Sequence, residues 1–412
     1  MTPNTVIVLL DDVGVDQISA YGYPGAPPTP TFDALADQGV RFDQAWATPV
    51  CSPTRAALIT GEFADRNEVG AVIMAKQDKE MPLSVRTLPE LLRRADQRWA
   101  SAAIGKWHMA TLASASGAEH ALLQGFDWFA GSMNNIGVPP VDEPDVPRSY
   151  VAWDRVGFDG QVHLETTFST TAITTDAIAA LTVMPEPFVL YVAYHAAHRP
   201  LMVPPGALPE GAEVDENELF ALNVAAADAE IARLLDALGD RRANTLVMVI
   251  GDNGTPSYAK DEDGQGGAKG SFREGGLRVP FVVAGPGVAH GVSDALVSVV
   301  DVVPTVLVAA GVDPAPLHLD GLPMQPALQD PAAATVHEVL YSETRHPPTG
   351  PPWRHVERAA RDRDLKLVDD DGEQRLFRLD GFQEAPVARK ALTAEEQARV
   401  EALEAELARH PR

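Results

Sequence analysis

Short apolar runs alternate with polar, helix-periodic stretches along most of the chain, and that alternation predicts an α/β fold. Residues 5–10 are apolar and rich in β-branched side chains, then break at Asp11-Asp12-Val13-Gly14. Such a run reads as a strand buried on both faces and ending in a loop. Residues 40–47, 99–104 and 281–284 also read as strands, 188–194 as a buried strand and 245–250 as an all-apolar one. Between them, residues 30–39, 87–94 and 170–181 read as helices. Residues 216–238 carry apolar positions at helical spacing, which predicts a long amphipathic helix closed by Gly239. The expected architecture is a mixed, largely parallel central sheet flanked by helices.

The pattern changes after about residue 335. Two short runs at 364–368 and 375–379 flank Asp369-Asp370-Asp371-Gly372, a hairpin signal. Residues 393–409 form a charged terminal helix with a threonine cap. These features predict a main α/β domain over 1–335 and a small antiparallel-sheet-plus-helix subdomain over 336–412. Residues 139–162, polar and containing prolines with Trp153 and Phe158, read as a surface excursion.

Composition removes several function classes. The 412 residues carry a formal net charge of −25, which argues against nucleic acid and anionic membrane surfaces as partners. A local group of cations can still bind an anion inside a cleft. One cysteine excludes an internal disulfide, and no apolar run reaches transmembrane length. The N-terminus runs into the first strand without a basic region or signal-peptide core, so the expected location is the cytoplasm. Only seven lysines are present, which singles out the two that fall inside motifs, Lys106 and Lys269.

Candidate chemistry gathers where strands end, the place ligands occupy in open α/β sheets. Asp11 and Asp12 repel each other unless a cation joins them, and a hard divalent ion with oxygen ligands suits the pair; helix capping by one and solvation of the other is the alternative. Asp252-Asn253 repeats that logic after the strand at 245–250, against the alternative of a simple turn. Gly105-Lys106-Trp107-His108 can turn a lysine and a histidine into one cleft, or form a surface turn. His195 and His198 are three apart, but flanking prolines argue against a helical metal pair. The glycine-rich stretch 264–276 has no Walker spacing. Pro53 can open a helix that Gly61 closes, which puts Cys51 just before a helix N-terminus with Arg55 one turn on. A buried structural cysteine is the competing reading.

The string Cys51-Ser52-Pro53-Thr54-Arg55-Ala56-Ala57-Leu58-Ile59-Thr60-Gly61 resembles the signature of type I sulfatases. Further motifs follow in family order: Gly105-Lys106-Trp107-His108, His198 before Arg199-Pro200-Leu201, Asp252-Asn253-Gly254, and Lys269 leading to Glu274-Gly275-Gly276. The chain departs from the family at Met109-Ala110, where Leu-Gly is common. The resemblance implies an alkaline phosphatase-superfamily fold and hydrolysis of sulfate monoesters, aryl or sugar. It implies that Cys51 is converted to formylglycine by a formylglycine-generating enzyme. It implies calcium, with magnesium compatible, held by Asp11, Asp12, Asp252, Asn253 and residue 51. Arg55, Lys106 and Lys269 would then face the sulfate, His108 would serve as base, and His198 would protonate the leaving alcohol. Asn135 is the choice for a further sulfate contact, and His195 is read as structural.

Two rival readings remain at this stage. One is a formylglycine-dependent phosphonate monoesterase or phosphodiesterase, whose relatives tend to place histidine where Asn253 stands. The other is a non-catalytic protein that binds sulfated ligands with Cys51 unmodified. Trp153, Arg345, Trp353, His355 and Arg358 are candidates to wall a substrate pocket.

Overall fold

The computed structural model describes residues 2–139, 146–209, 212–260, 266–333, 335–381 and 383–411. Parts of two expected segments, 140–145 of the excursion and 264–265 of the glycine-rich stretch, lie outside the described residues.

The main sheet has ten strands: β1 (Asn4–Leu10), β2 (Val40–Trp46), β3 (Ala100–Lys106), β4 (Trp128–Ser132), β5 (Trp153–Val156), β6 (Val162–Glu165), β7 (Phe188–Ala193), β8 (Thr245–Gly251), β9 (Phe281–Ala284) and β10 (Gly291–Ser298). They lie in the order β10-β2-β9-β8-β1-β7-β3-β4-β5-β6. The five central strands β8, β1, β7, β3 and β4 are parallel. β2 is antiparallel to β9, which is antiparallel to β8, so β2 points the same way as the central strands. The C-terminal ends of β1, β2, β3, β4, β7 and β8 therefore open on one edge of the sheet.

Burial on both faces explains why the central strands β1, β7 and β8 read as unbroken apolar runs. Every residue of β1 is buried. Its Ile7 and Leu9 pack on one face with the Cys51–Thr60 and Val302–Ala309 helices, while Val6, Val8 and Leu10 pack on the other with the Ser169–Val183 and Glu216–Ala237 helices. Removing one such fully buried aliphatic side chain costs about 2–5 kcal/mol, so the layer that aims the strand ends is stiff.

A second sheet of five antiparallel strands holds β11 (Leu340–His346), β12 (His355–Arg361), β13 (Leu365–Asp370), β14 (Glu373–Asp380) and β15 (Gln383–Pro386). The hairpin at Asp371-Gly372 forms with both residues at positive φ. Thr393 caps the Ala394–Arg409 helix with a Thr393–Glu396 capping box. None of the described helices is long and apolar enough to cross a membrane.

Three sequence expectations need correction. The helix after β2 starts at Cys51, with Val50 as its cap, rather than at Pro53. Proline is tolerated throughout the first turn because none of those N–H groups has an intrahelical partner. Lys106 closes β3 instead of starting a loop. The stretch 146–162 is not only a surface excursion: its Tyr150 and Trp153 are fully buried, and β5 extends the main sheet.

Candidate active site

Each strand end delivers one part of a compact charged site. Asp11 and Asp12 follow β1, and Asp12 sits at φ 65°. His108, two residues beyond β3, sits at φ 59°. Non-glycine residues avoid this left-handed region, and holding them there is a cost that functional sites commonly bear.

One ligand atom from each of Asp11, Asp12, Cys51 and Asp252 lies within 4.8 Å of the others, and all four residues are buried. Three cations interleave with the carboxylates. Arg55 Nη2 lies 2.7 Å from Asp252 Oδ2 and 3.6 Å from Asp11 Oδ2, and Arg55 Nη1 donates to the Lys106 carbonyl at 2.9 Å. Lys106 Nζ donates to Asp11 Oδ2 at 2.5 Å. Lys269 Nζ donates to Asp12 Oδ1 at 2.5 Å and lies 3.5 Å from Cys51 Sγ. Cys51 Sγ is in turn 3.6 Å from Asp11 Oδ1. Asn253 Nδ2 donates to Asp12 Oδ1 at 2.9 Å, while its Oδ1 is buried with no partner.

Protonation follows from this crowding. Burial works to raise the Asp11 and Asp12 carboxyls, but the cations prevail: Lys106, His198 and Arg55 hold Asp11 below the usual carboxylate range, and Lys269 and His198 do so for Asp12. Burial, with Asp252 adding to it, pushes the Cys51 thiol up to about 12. Residue 51 is therefore a neutral thiol at ordinary pH, a weak nucleophile. Burial and the neighbouring Lys106 and Arg55 drive His108 far below the ordinary histidine range, so its ring is neutral; its Nδ1 is buried without a partner.

His198 reaches the same cluster, with Nε2 3.9 Å from Asp12 Oδ2. Its Nδ1 lies 2.6 Å from the Arg199 carbonyl. A carbonyl only accepts, so Nδ1 carries the hydrogen and Nε2 faces the site. The ten expected residues Asp11, Asp12, Cys51, Arg55, Lys106, His108, His198, Asp252, Asn253 and Lys269 thus come together from segments that span most of the chain.

Asn135 stands apart from the ten. It lines a neighbouring cavity and makes no polar contact with the carboxylate cluster among the described residues. Ser132 was not singled out from the sequence. It pairs with Lys106 in the sheet register, and its Oγ lies 2.6 Å from His195 Nε2. The available signal was positional, since Ser132 is the last residue of the strand that carries Trp128 and Phe129. His195 is buried and bonded through Nε2, with its ring edge-on to Trp153, while its Nδ1 has no partner. Of the other wall candidates, Trp153 lines the cavity. Arg345 instead pairs with Glu343 at 2.6 Å beneath Trp353, His355 pairs with Asp371 at 2.9 Å, and Arg358 pairs with Asp369 at 3.2 Å.

The donor set fits a hard divalent cation. Three buried carboxylates converge, two of them with a lysine drawn in to 2.5 Å, and the partnerless Asn253 oxygen joins them.

Comparison with known proteins agrees with this geometry. Residues 3–312 match the family model described as sulfatase. The chain is 31% identical over 361 residues to human N-acetylgalactosamine-6-sulfatase, covering 79% of this chain and 66% of that one. It is 30% identical over 358 residues to human arylsulfatase A, covering 79% of this chain and 68% of that one. The chain thus spans about two thirds of the length of these relatives. In fold it is similar to the crystal structure of Ps i-CgsB in complex with k-i-k-neocarrahexaose, with a TM-score of 0.82, 24% identity, and coverage of 99% of this chain and 92% of that one.

Proposed function

The chain belongs to the sulfatase family, and on that premise we propose that it hydrolyses sulfate monoesters, aryl or sugar, using residue 51 as the nucleophile after its oxidation to formylglycine. The observation that carries this reading is the convergence of Asp11, Asp12 and Asp252 on residue 51, with Asn253 bonded to Asp12 and Arg55, Lys106 and Lys269 between the carboxylates.

The encoded thiol is poorly suited to the task. It is held protonated, and sulfur is a soft ligand beside hard oxygen donors. An aldehyde hydrate at the same position supplies an oxygen nucleophile. A divalent cation held by Asp11, Asp12, Asp252 and Asn253, calcium by family resemblance and magnesium by ligand chemistry, supplies Lewis-acid polarisation.

The chain's own groups do the rest. Arg55, Lys106 and Lys269 balance the three carboxylates, so any added cation leaves the pocket positive and receptive to an anionic ester. The first turn of the Cys51–Thr60 helix points its free N–H groups and dipole at the same place. His108, neutral and with Nδ1 free, is placed to accept a proton from the hydrated residue 51. His198, its tautomer fixed by the Arg199 carbonyl, is placed with Lys269 to pass a proton to the departing alcohol.

The test has two parts. Mass spectrometry of the Cys51 peptide from protein made in a host with the oxidising machinery should find the aldehyde, and that protein should turn over an activated aryl sulfate. Cys51→Ala should abolish turnover. An unmodified thiol together with no turnover would favour a protein that only binds sulfated ligands.

A further inference from the structure

A cavity of about 300 Å³ opens beside the site, and its walls differ in character from the charged cluster. Its lining includes Met133, Ile136, Trp153 and Val156, all buried. At its mouth stand Leu112 and Val162, 46% and 45% exposed. Exposed apolar side chains around a concave opening mark a binding surface more often than chance placement does.

Three contacts tie this cavity to the catalytic groups. Ser132, in its wall, hydrogen-bonds His195 at 2.6 Å. The carbonyls of Ser132 and Met133 accept from Trp107 N at 2.9 Å and His108 N at 3.0 Å. The cavity wall at 136–138 packs on the His198 segment: a Cβ built on Gly137, which has φ +87°, would stand 2.5 Å from Pro200 Cδ. The cavity therefore lies on the side from which His198 approaches, where the alcohol part of an ester departs.

Its polar lining residues are Lys76, Ser132, Asn134, Asn135, Arg148 and Asp154, against ten apolar ones. Arg148 and Asp154 pair with each other at 3.0 Å. Asn134 Nδ2 and Asn135 Oδ1 are buried without hydrogen-bond partners, one donor and one acceptor. Unsatisfied buried polar atoms are costly and uncommon, and a ligand group that bonds them relieves that cost.

We infer that this cavity receives the alcohol portion of the sulfate ester, and that the preferred alcohol is a compact apolar body, aromatic or alicyclic, carrying one hydroxyl or amide for Asn134 and Asn135, rather than a polyhydroxylated sugar. This rests on the sulfatase reading above. A sugar would set several of its hydroxyls against Met133, Ile136 and Val156, whose side chains offer no hydrogen bond. The volume suits one or two rings and excludes a polymer segment from the cavity itself.

The experiment compares two primary alkyl esters with the matured full-length protein: 2-phenylethyl sulfate and D-glucose 6-sulfate. Both leave as primary alcohols, so the comparison reads the cavity rather than leaving-group acidity. The expected result is a kcat/KM at least about tenfold higher for the phenylethyl ester. Leu112→Asp and Val162→Asp, at half-exposed positions that folding tolerates, should remove most of that preference. The inhibition constant of inorganic sulfate, which fills only the charged site, should stay unchanged in both variants. Preference for the glucose ester, or variants that leave the phenylethyl ester untouched, would overturn the inference and leave the sulfatase reading standing. Turnover of an activated aryl sulfate with neither alkyl ester taken would also overturn the inference alone, whereas no turnover of any of the three would remove the sulfatase reading and this inference with it.

Discussion

The hydroxyl of Tyr150 lies 2.9 Å from the carbonyl oxygens of both His195 and His198. It joins the two ends of the turn that carries His198, from a ring that is fully buried and stacked on Phe168. We expect Tyr150→Phe to cost only about 1 kcal/mol of stability, because it removes one neutral hydrogen bond. Its effect on catalysis should be selective. Rates for esters of poorly acidic alcohols, which need a well-placed His198, should fall several-fold more than rates for activated aryl sulfates. Steady-state kinetics on both substrate types checks this, and an equal fall on both would contradict a positioning role.

Removing divalent cations should both inactivate and destabilise the protein. The carboxylates of Asp11, Asp12 and Asp252 are buried within one cluster. An ion present at a hundred times its dissociation constant adds about 2.7 kcal/mol to folding stability. For a chain of this size that corresponds to a fall in Tm of roughly 3 °C on chelation. Differential scanning fluorimetry with a chelator, then with calcium or magnesium restored, measures the shift and identifies the better ion.

Stability should decline on the alkaline side through His410. Burial lowers its tendency to ionise, but hydrogen bonds to Asp65 and Glu406 prevail and raise its pKa to about 9. A group with a folded-state pKa above its unfolded value of about 6.5 stabilises fully below that value. The contribution, of order 3 kcal/mol, is lost as pH rises through the folded value, so the window runs from about pH 6.5 to 9. Urea denaturation across that range should fall, and His410→Gln should flatten the profile.

Glu274 anchors the second sheet to the site. It bonds Arg361 Nη1 at 2.7 Å, Lys366 Nζ at 3.1 Å and Arg278 Nε at 3.0 Å, all buried, and these cations together hold its carboxyl far below the usual range despite burial. Glu274→Gln keeps the shape but leaves those cations short of a counter-charge, at a cost of about 3–5 kcal/mol. Denaturant unfolding measures it. Because Glu274 follows closely on the segment bearing Lys269, activity should fall in the surviving folded fraction as well.

The central strands were legible because burial on both faces writes itself locally. Residues 5–10 and 245–250 need no partner to read as parallel strands, and the polar residues that follow them are the site. Three features were not legible, for a common reason: each depends on partners far away in sequence. β5 is four residues long, and its only pairing with β4 joins Gly131 to Val156. Ser132 and Asn135 are equally polar neighbours, and only the pairing of Ser132 with Lys106 separates them. The start of the helix at Cys51 depends on the extended backbone of Val50, which no residue preference near Pro53 encodes.

Residue 51 is 1% exposed in the finished fold, with Lys269 Nζ 3.5 Å from its sulfur. An enzyme that acts on its sulfur would need the surrounding chain opened, because the folded molecule leaves that side chain almost no accessible surface. Oxidation of that sulfur by such an enzyme would accordingly have to precede collapse of the polypeptide around it, and the yield of active protein would be set by a race between the two.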